Sequence, residues 1–396
     1  MNKKEAGAFL DIDLGAVVSN WRNLSSLLPS SGKCAAVVKS NAYGLGASQI
    51  SSALSRGGCR DFFVAYLSEG IEIRRAVGAN ARIFVLHGTF PDTEKDFTAY
   101  NLIPVLNTFE QIDRWIAYTA SAGHRFPAAL NFDTGMSRFA LSAKEQDTLF
   151  SAAEEKLKNL DVVLLMSHLV NADNPKDEKN QTQLAWFKNI VAKASAILGY
   201  TPELSLSATA GIFLGKDYLF DLCRPGLGLY GLYPHSGCEK TVSLQPALSL
   251  KAKILQIQSA HAGQSVGYGA SYSFTKDGRI ATVGIGYADG FLRNLGNRGY
   301  GCIAGKKVPI IGRISMDLTT FDVTDIPESE LFVGQMIEII GPNNPLDTLA
   351  SSAETISYEL LCNLGGRYCR QYVNEVLPLS LSGNDAADKA DISGVS

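Results

Sequence analysis

The chain has 396 residues, beyond the roughly 250–300 at which a single hydrophobic core stops growing, so two domains are expected. Hydrophobic residues make up 46% and charged residues 19%, which excludes a disordered or collagen-like chain. The net charge of -3 carries no positive excess of the kind that nucleic-acid binding needs. Met1-Asn2-Lys3-Lys4 resembles the basic start of a signal peptide, but residues 5–13 carry three acids and no apolar core, so secretion is not expected. The chain has no run of about 18 uncharged apolar residues that could span a membrane. Its seven cysteines are scattered without a C-x-x-C pair, as expected for reduced thiols in a cytoplasmic protein.

Short apolar runs alternate with amphipathic stretches through the first half. Buried strands are predicted at 34–38, 62–65, 83–86, 103–106, 128–132, 162–167, 204–207 and 219–223. Between them, Val17, Val18, Trp21, Leu24 and Leu28 recur at helical spacing. Leu184, Phe187, Val191, Ala194 and Leu198 do so again. Ser142 with Glu145 reads as a capping box, and Asn107 with Glu110 reads similarly. Strand–helix alternation implies a parallel sheet, and eight strands imply a closed (β/α)8 barrel of the TIM type over residues 8–240.

After about residue 240 the pattern becomes alternating and closely spaced. Leu248, Leu250, Ala252, Ile254 and Ile257 are followed by short runs at 280–285, 302–304, 308–311, 319–323 and 336–340, with turns such as Asp277-Gly278 and Gly341-Pro342 between them. A mainly antiparallel β domain is expected over 241–380. A helix is predicted at 348–362, and residues 381–396 read as a disordered tail.

One segment carries chemistry on its own. In Ala35-Ala36-Val37-Val38-Lys39-Ser40-Asn41-Ala42-Tyr43-Gly44, an apolar strand ends on a lysine. Strand C-termini form the active-site face of a barrel. Desolvation there lowers a lysine pKa and makes its amine available as a nucleophile. The plainer reading is a lysine snorkelling from a strand end.

This stretch resembles the pyridoxal-phosphate (PLP) lysine motif of bacterial alanine racemases. The resemblance extends over about residues 8–380. It includes Phe132-Asp133-Thr134-Gly135-Met136-Ser137-Arg138, Arg224-Pro225-Gly226-Leu227-Gly228-Leu229-Tyr230-Gly231 and Val266-Gly267-Tyr268-Gly269-Ala270. Gly286-Tyr287-Ala288-Asp289-Gly290 and Gly312-Arg313-Ile314-Ser315-Met316-Asp317 complete it. The family's fold, a barrel plus a β domain, agrees with the element count. The resemblance implies PLP held by Lys39, and two-base interconversion of L- and D-alanine with Tyr268 as the opposite base. That tyrosine would come from the partner subunit of a homodimer. It implies that His168 supports Tyr268, that Arg224 faces the pyridine nitrogen, and that Tyr43, Thr209, Gly226, Leu227 and Tyr358 hold the phosphate. Arg138, with the partner's Met316 and Asp317, would bind substrate, and Tyr287 would stand at the pocket entrance. Such enzymes supply D-alanine for peptidoglycan or L-alanine for catabolism.

Three positions depart from the family. Asn131 stands where many members carry a carbamylated lysine. A neutral amide cannot neutralise Arg138, so a bound anion such as chloride is expected there. Leu45 replaces a histidine, and Ala208-Thr209 replaces an asparagine–serine pair. A broad-spectrum or serine racemase of the same fold is the nearest alternative, although those relatives tend to carry export signals. A PLP-carrier protein would end after the barrel. No nucleic-acid or membrane partner is expected.

Overall fold

The computed structural model describes residues 3–376, so the tail expected at 381–396 lies outside the described residues. Seven strands pair in parallel in chain order: Ala36–Val37, Asp61–Val64, Arg82–Val85, Ile103–Leu106, Pro127–Asn131, Asp161–Met166 and Glu203–Ser205. The eighth stave is Leu222–Cys223. It pairs with Lys33–Cys34 on one side and is bridged to Glu203–Ser205 through Ala208 and Arg224 on the other. Lys33–Cys34 runs into Ala36–Val37 across Ala35, whose N–H donates to Cys223 O at 2.8 Å, so the ring closes. Continuous apolar runs such as Phe62-Phe63-Val64 are buried on both faces, as strands between a barrel interior and a helical coat must be.

The coat is capped much as the sequence implies. Asp13 accepts from Ala16 N at 2.8 Å to open Leu14–Ser25, and the Ser142–Glu145 capping box opens Ala143–Ser151. The helix Phe109–Ser121 differs. Its cap is Thr108, whose hydroxyl accepts from Gln111 N at 3.3 Å, and Asn107 is turned inward and fully buried. Glu178–Leu198 buries Leu184, Phe187, Ile190 and Ala194 against the barrel.

The second sheet is mainly antiparallel, ordered Lys306–Pro309, Tyr300–Ile303, Met336–Ile340, Leu248–Ala260, Ala8–Asp13, Cys369–Val373. The 13-residue strand Leu248–Ala260 also takes a third antiparallel partner, Gly278–Val283, with a register shift between Ile254 and Gln256. Ala8–Asp13 therefore lies in the β sheet, not in the barrel, and runs parallel to Cys369–Val373. The helix predicted at 348–362 is two helices, Leu346–Ser352 and Ser357–Cys362, with Glu354 at φ 56° in the break. The last strand ties back to the barrel: Arg370 donates to Gly44 O, and Tyr372 Oη donates to Leu45 O at 3.1 Å. Among the described residues, no helix is long and apolar enough to cross a membrane.

Candidate active site

Lys39 follows the end of a barrel stave and lines a cavity of about 1120 Å³ at the C-terminal mouth of the barrel. Burial holds its ammonium below the ordinary lysine pKa, and the neighbouring Arg138 and Arg224 cations push the same way. The next four residues, Ser40 to Tyr43, all have φ between 52° and 55°, and Gly44 follows at 81°. This is one turn of left-handed helix, a conformation costing about 1–2 kcal/mol per non-glycine residue. Hydrogen bonds within and beyond the turn hold it: Ser40 N donates to Glu69 Oε1 at 2.7 Å, Asn41 Oδ1 accepts from Ala47 N at 2.8 Å, and Gly44 N donates to Ser40 O at 2.8 Å. The turn brings Tyr43 back into the same cavity as Lys39.

Arg224 is 3% exposed and donates to Ser205 Oγ and to Ser167 O, the latter at 2.8 Å. Burial lowers its pKa to about 10, which leaves it charged at neutral pH. Two residues on, the chain passes so close to Tyr43 that a Cβ on Gly226 would lie 2.2 Å from the phenolic oxygen. Thr209 Oγ1 accepts from Gly226 N at 3.1 Å and from Gly228 N at 3.2 Å, which leaves its own hydroxyl proton to donate. Leu227 and Tyr358 complete this end of the cavity. The Tyr43 ring lies 5.2 Å from Tyr230 and 5.8 Å from Tyr358.

His168 extends from the Asp161–Met166 stave into the cavity, and its carbonyl accepts from Gln183 Nε2 at 3.0 Å. Burial, with Arg224, Arg138 and Lys39 nearby, pushes the imidazole down to about 3, so it is neutral. Arg138 follows a loop shaped by Asp133, whose Oδ1 accepts from Gly135, Met136 and Ser137 N at 2.7, 2.9 and 3.1 Å. Asn131 donates through Nδ2 to Asn107 Oδ1 at 2.9 Å and to Phe139 O at 3.0 Å. Both of its N–H groups are thus spent.

Lys39, Tyr43, Asn131, Arg138, His168, Thr209, Arg224, Gly226, Leu227 and Tyr358 all line this one cavity. Tyr268, Tyr287, Met316 and Asp317 do not. They sit on the β domain, with Tyr268 71%, Met316 53% and Tyr287 43% exposed. Tyr268 stands on a turn with Gly267 at φ 71° and Gly269 at φ 72°. The other three belong to interlocked loops: Tyr287 N donates to Ser315 O at 3.1 Å, and Ala288 N to Met316 O at 3.0 Å. Arg367 pairs in bidentate fashion with Asp289 at 2.6 and 3.0 Å and reaches Asp317 at 2.8 Å.

Sequence reasoning missed the site roles of Glu69, Ser167 and Ser205, whose partners Ser40 and Arg224 lie 29, 57 and 19 residues away in the chain, and it read Asn107 as a cap although it lines the cavity. It also missed Cys362, an exposed thiol lining the cavity.

The family models for the alanine racemase N-terminal and C-terminal domains match residues 12–234 and 247–372. An alanine racemase of Rhodospirillum rubrum is 45% identical over 371 residues, covering 94% of this chain and 97% of that protein. A catabolic alanine racemase of Agrobacterium fabrum is 41% identical, covering 93% and 92%. Among solved structures, alanine racemase from Bartonella henselae with covalently bound pyridoxal phosphate superposes with a TM-score of 0.88. It is 37% identical and covers 93% of this chain and 100% of that one. Matched along nearly its whole length by both halves of one family, over a barrel and β sheet of the same build, the chain belongs to the alanine racemases.

Proposed function

We propose that this enzyme interconverts L- and D-alanine by a PLP-dependent two-base mechanism, as a cytoplasmic homodimer whose active sites are shared between subunits. The observation that carries the reading is a division of labour. Lys39 lies in the cavity with a lowered pKa, whereas Tyr268 is 71% exposed on the other domain of the same chain. The proposed division is a cofactor-holding barrel within 8–240, whose first strand Ala8–Asp13 pairs into the β sheet instead, and a β domain over 241–380 lent to the neighbour.

The residues present fit the cofactor. The cavity can take a phosphorylated pyridine. The Gly226 backbone hugs Tyr43 where any Cβ would clash, and the Thr209 hydroxyl is free to donate to a phosphate. When bound, PLP supplies an electron sink for the pair left when the α-proton departs. The protein does the rest. Lys39 would hold the group through Nζ, and its free amine would take or return the α-proton on one face. Tyr268 Oη of the partner subunit does so on the other. Arg224, charged and pinned by Ser205 and Ser167, makes a poor proton donor to the ring nitrogen, which disfavours protonation at the wrong carbon. His168, neutral, is an acceptor available to the tyrosine. Arg138 orients the substrate carboxylate, helped by the partner subunit's Met316 and Asp317, with Tyr287 at the entrance.

Lys39→Ala tests this directly. The purified variant should lose the visible absorbance of lysine-bound cofactor together with racemisation. A variant that kept the absorbance would refute the assignment of Lys39. Assays across alanine, serine and lysine set the breadth. The reaction yields D-alanine, a peptidoglycan precursor, or returns L-alanine to catabolism.

A further inference from the structure

Lys39 is held through its two neighbours in the chain, and both bonds run to one strand–helix unit of the barrel. On one side, Val38 N donates to Phe63 O at 2.9 Å, within the stave Asp61–Val64. On the other, Ser40 N donates to Glu69 Oε1 at 2.7 Å. Glu69 is the third residue of the helix Leu67–Val77, which follows that stave. Its second oxygen, Oε2, accepts from Ala65 N at 2.7 Å and from Tyr66 N at 3.2 Å. One carboxylate therefore closes the loop at the end of the stave and reaches across to the residue after Lys39.

Only a carboxylate serves both sides. Its two oxygens accept, and each faces N–H groups. An amide in the same place offers one oxygen. With that oxygen toward Ser40, its NH2 group meets the N–H groups of Ala65 and Tyr66; turned round, it meets that of Ser40. The Ser40 bond acts where the chain enters four successive non-glycine residues of positive φ, Ser40 to Tyr43. Such backbone is strained, and a charge-assisted hydrogen bond is among the stronger bonds that can hold it. If that bond is lost the strain favours relaxation of the turn, and Lys39 is the residue next to it. The carboxylate charge also opposes the Arg138 and Arg224 cations at the Lys39 amine.

We propose that Glu69 is a positioning residue for Lys39, one that sets the lysine against the neighbouring stave and so governs the proton transfers made by Lys39 and not those made by Tyr268. The proposal rests on the two-base reading above.

Glu69→Gln, made in the holoenzyme, keeps the size of the side chain and removes one of its two acceptors. In crystals of this variant Ser40 should leave its φ of 55°, and Lys39 Nζ should move by about 1 Å, with the visible absorbance of bound cofactor retained. A shift of that size should lower kcat about tenfold or more with KM little changed. Alanine carrying deuterium at Cα identifies the step that slows, because each direction of racemisation breaks that bond with a different base. The primary isotope effect on kcat/KM should rise in the direction in which Lys39 takes the deuteron. It should fall in the direction in which Tyr268 of the partner subunit takes it. A merely structural role would move both alike or neither. An unmoved Lys39, or isotope effects that keep their wild-type ratio, would overturn the proposal. Should Glu69→Gln not fold, Glu69→Asp, which keeps the charge but draws it back by one methylene, carries the same readouts. Lys39→Ala separates the two layers. If it keeps the visible absorbance, the reading of Lys39 fails. If it loses the absorbance while Glu69→Gln leaves the lysine and the isotope ratio in place, the role of Glu69 fails alone.

Discussion

His168 lines the cavity half-buried, among three cations, Arg224, Arg138 and Lys39. Its folded pKa is about 3, against an ordinary value of 6.5. Between those values the unfolded chain binds a proton that the folded chain refuses, so stability rises with pH. The stabilisation tied to the neutral imidazole is complete above about 6.5 and is lost as the pH falls toward 3. The melting temperature should therefore drop between pH 7 and pH 4, and His168→Gln should flatten that slope. Identical slopes for the two proteins would mean that the imidazole is not held neutral by its surroundings. At this scale the sequence was informative about Lys39, where an apolar run stops on a charge. It was silent about Ser205, Ser167 and Glu69, because a residue that aims another from a distant element leaves no spacing to read.

Among the elements, the left-handed turn after Lys39 stands out physically. Four consecutive non-glycine residues at positive φ are held by the Glu69 carboxylate, the Asn41–Ala47 bond and Gly44. Nothing in Ser40-Asn41-Ala42-Tyr43 beyond Asn41 favours that hand, so it is imposed by tertiary bonds. Ser40→Gly keeps the N–H that Glu69 binds and relieves the side-chain clash, offset by greater freedom in the unfolded chain. Equilibrium denaturation should show a gain of about 0.5–1 kcal/mol. A loss would mean that the serine side chain makes a contact worth more than the strain. The barrel staves were legible because buried parallel strands read as continuous apolar runs. The helix break at 353–356 was not, since Glu354 takes φ 56° without a glycine or proline to announce it. Asn107 likewise looked like a cap, but the neighbouring Thr108 took that role, and the asparagine turned inward to donate to Leu86 O and Val105 O.

At the scale of the molecule, the strand Ala8–Asp13 pairs with Leu248–Ala260 and Cys369–Val373, hundreds of residues away. Such a pairing is invisible to any local pattern, and it stitches the start of the barrel half to the β sheet. The same long-range logic applies between subunits. The cavity holds Lys39, and Tyr268 is exposed on the β domain; on the proposed reading, a single chain presents two half-sites. In a two-fold dimer each half-site meets its complement, and lesions can be sorted between the two sites. A Lys39→Ala homodimer and a Tyr268→Ala homodimer have no intact site. A heterodimer of the two has one site with both lesions and one with neither. Purified through two different tags, that heterodimer should racemise alanine at about half the wild-type rate per dimer. If Lys39 and Tyr268 acted within one subunit, every site in the heterodimer would carry a lesion, and the mixed dimer would be as inactive as its parents.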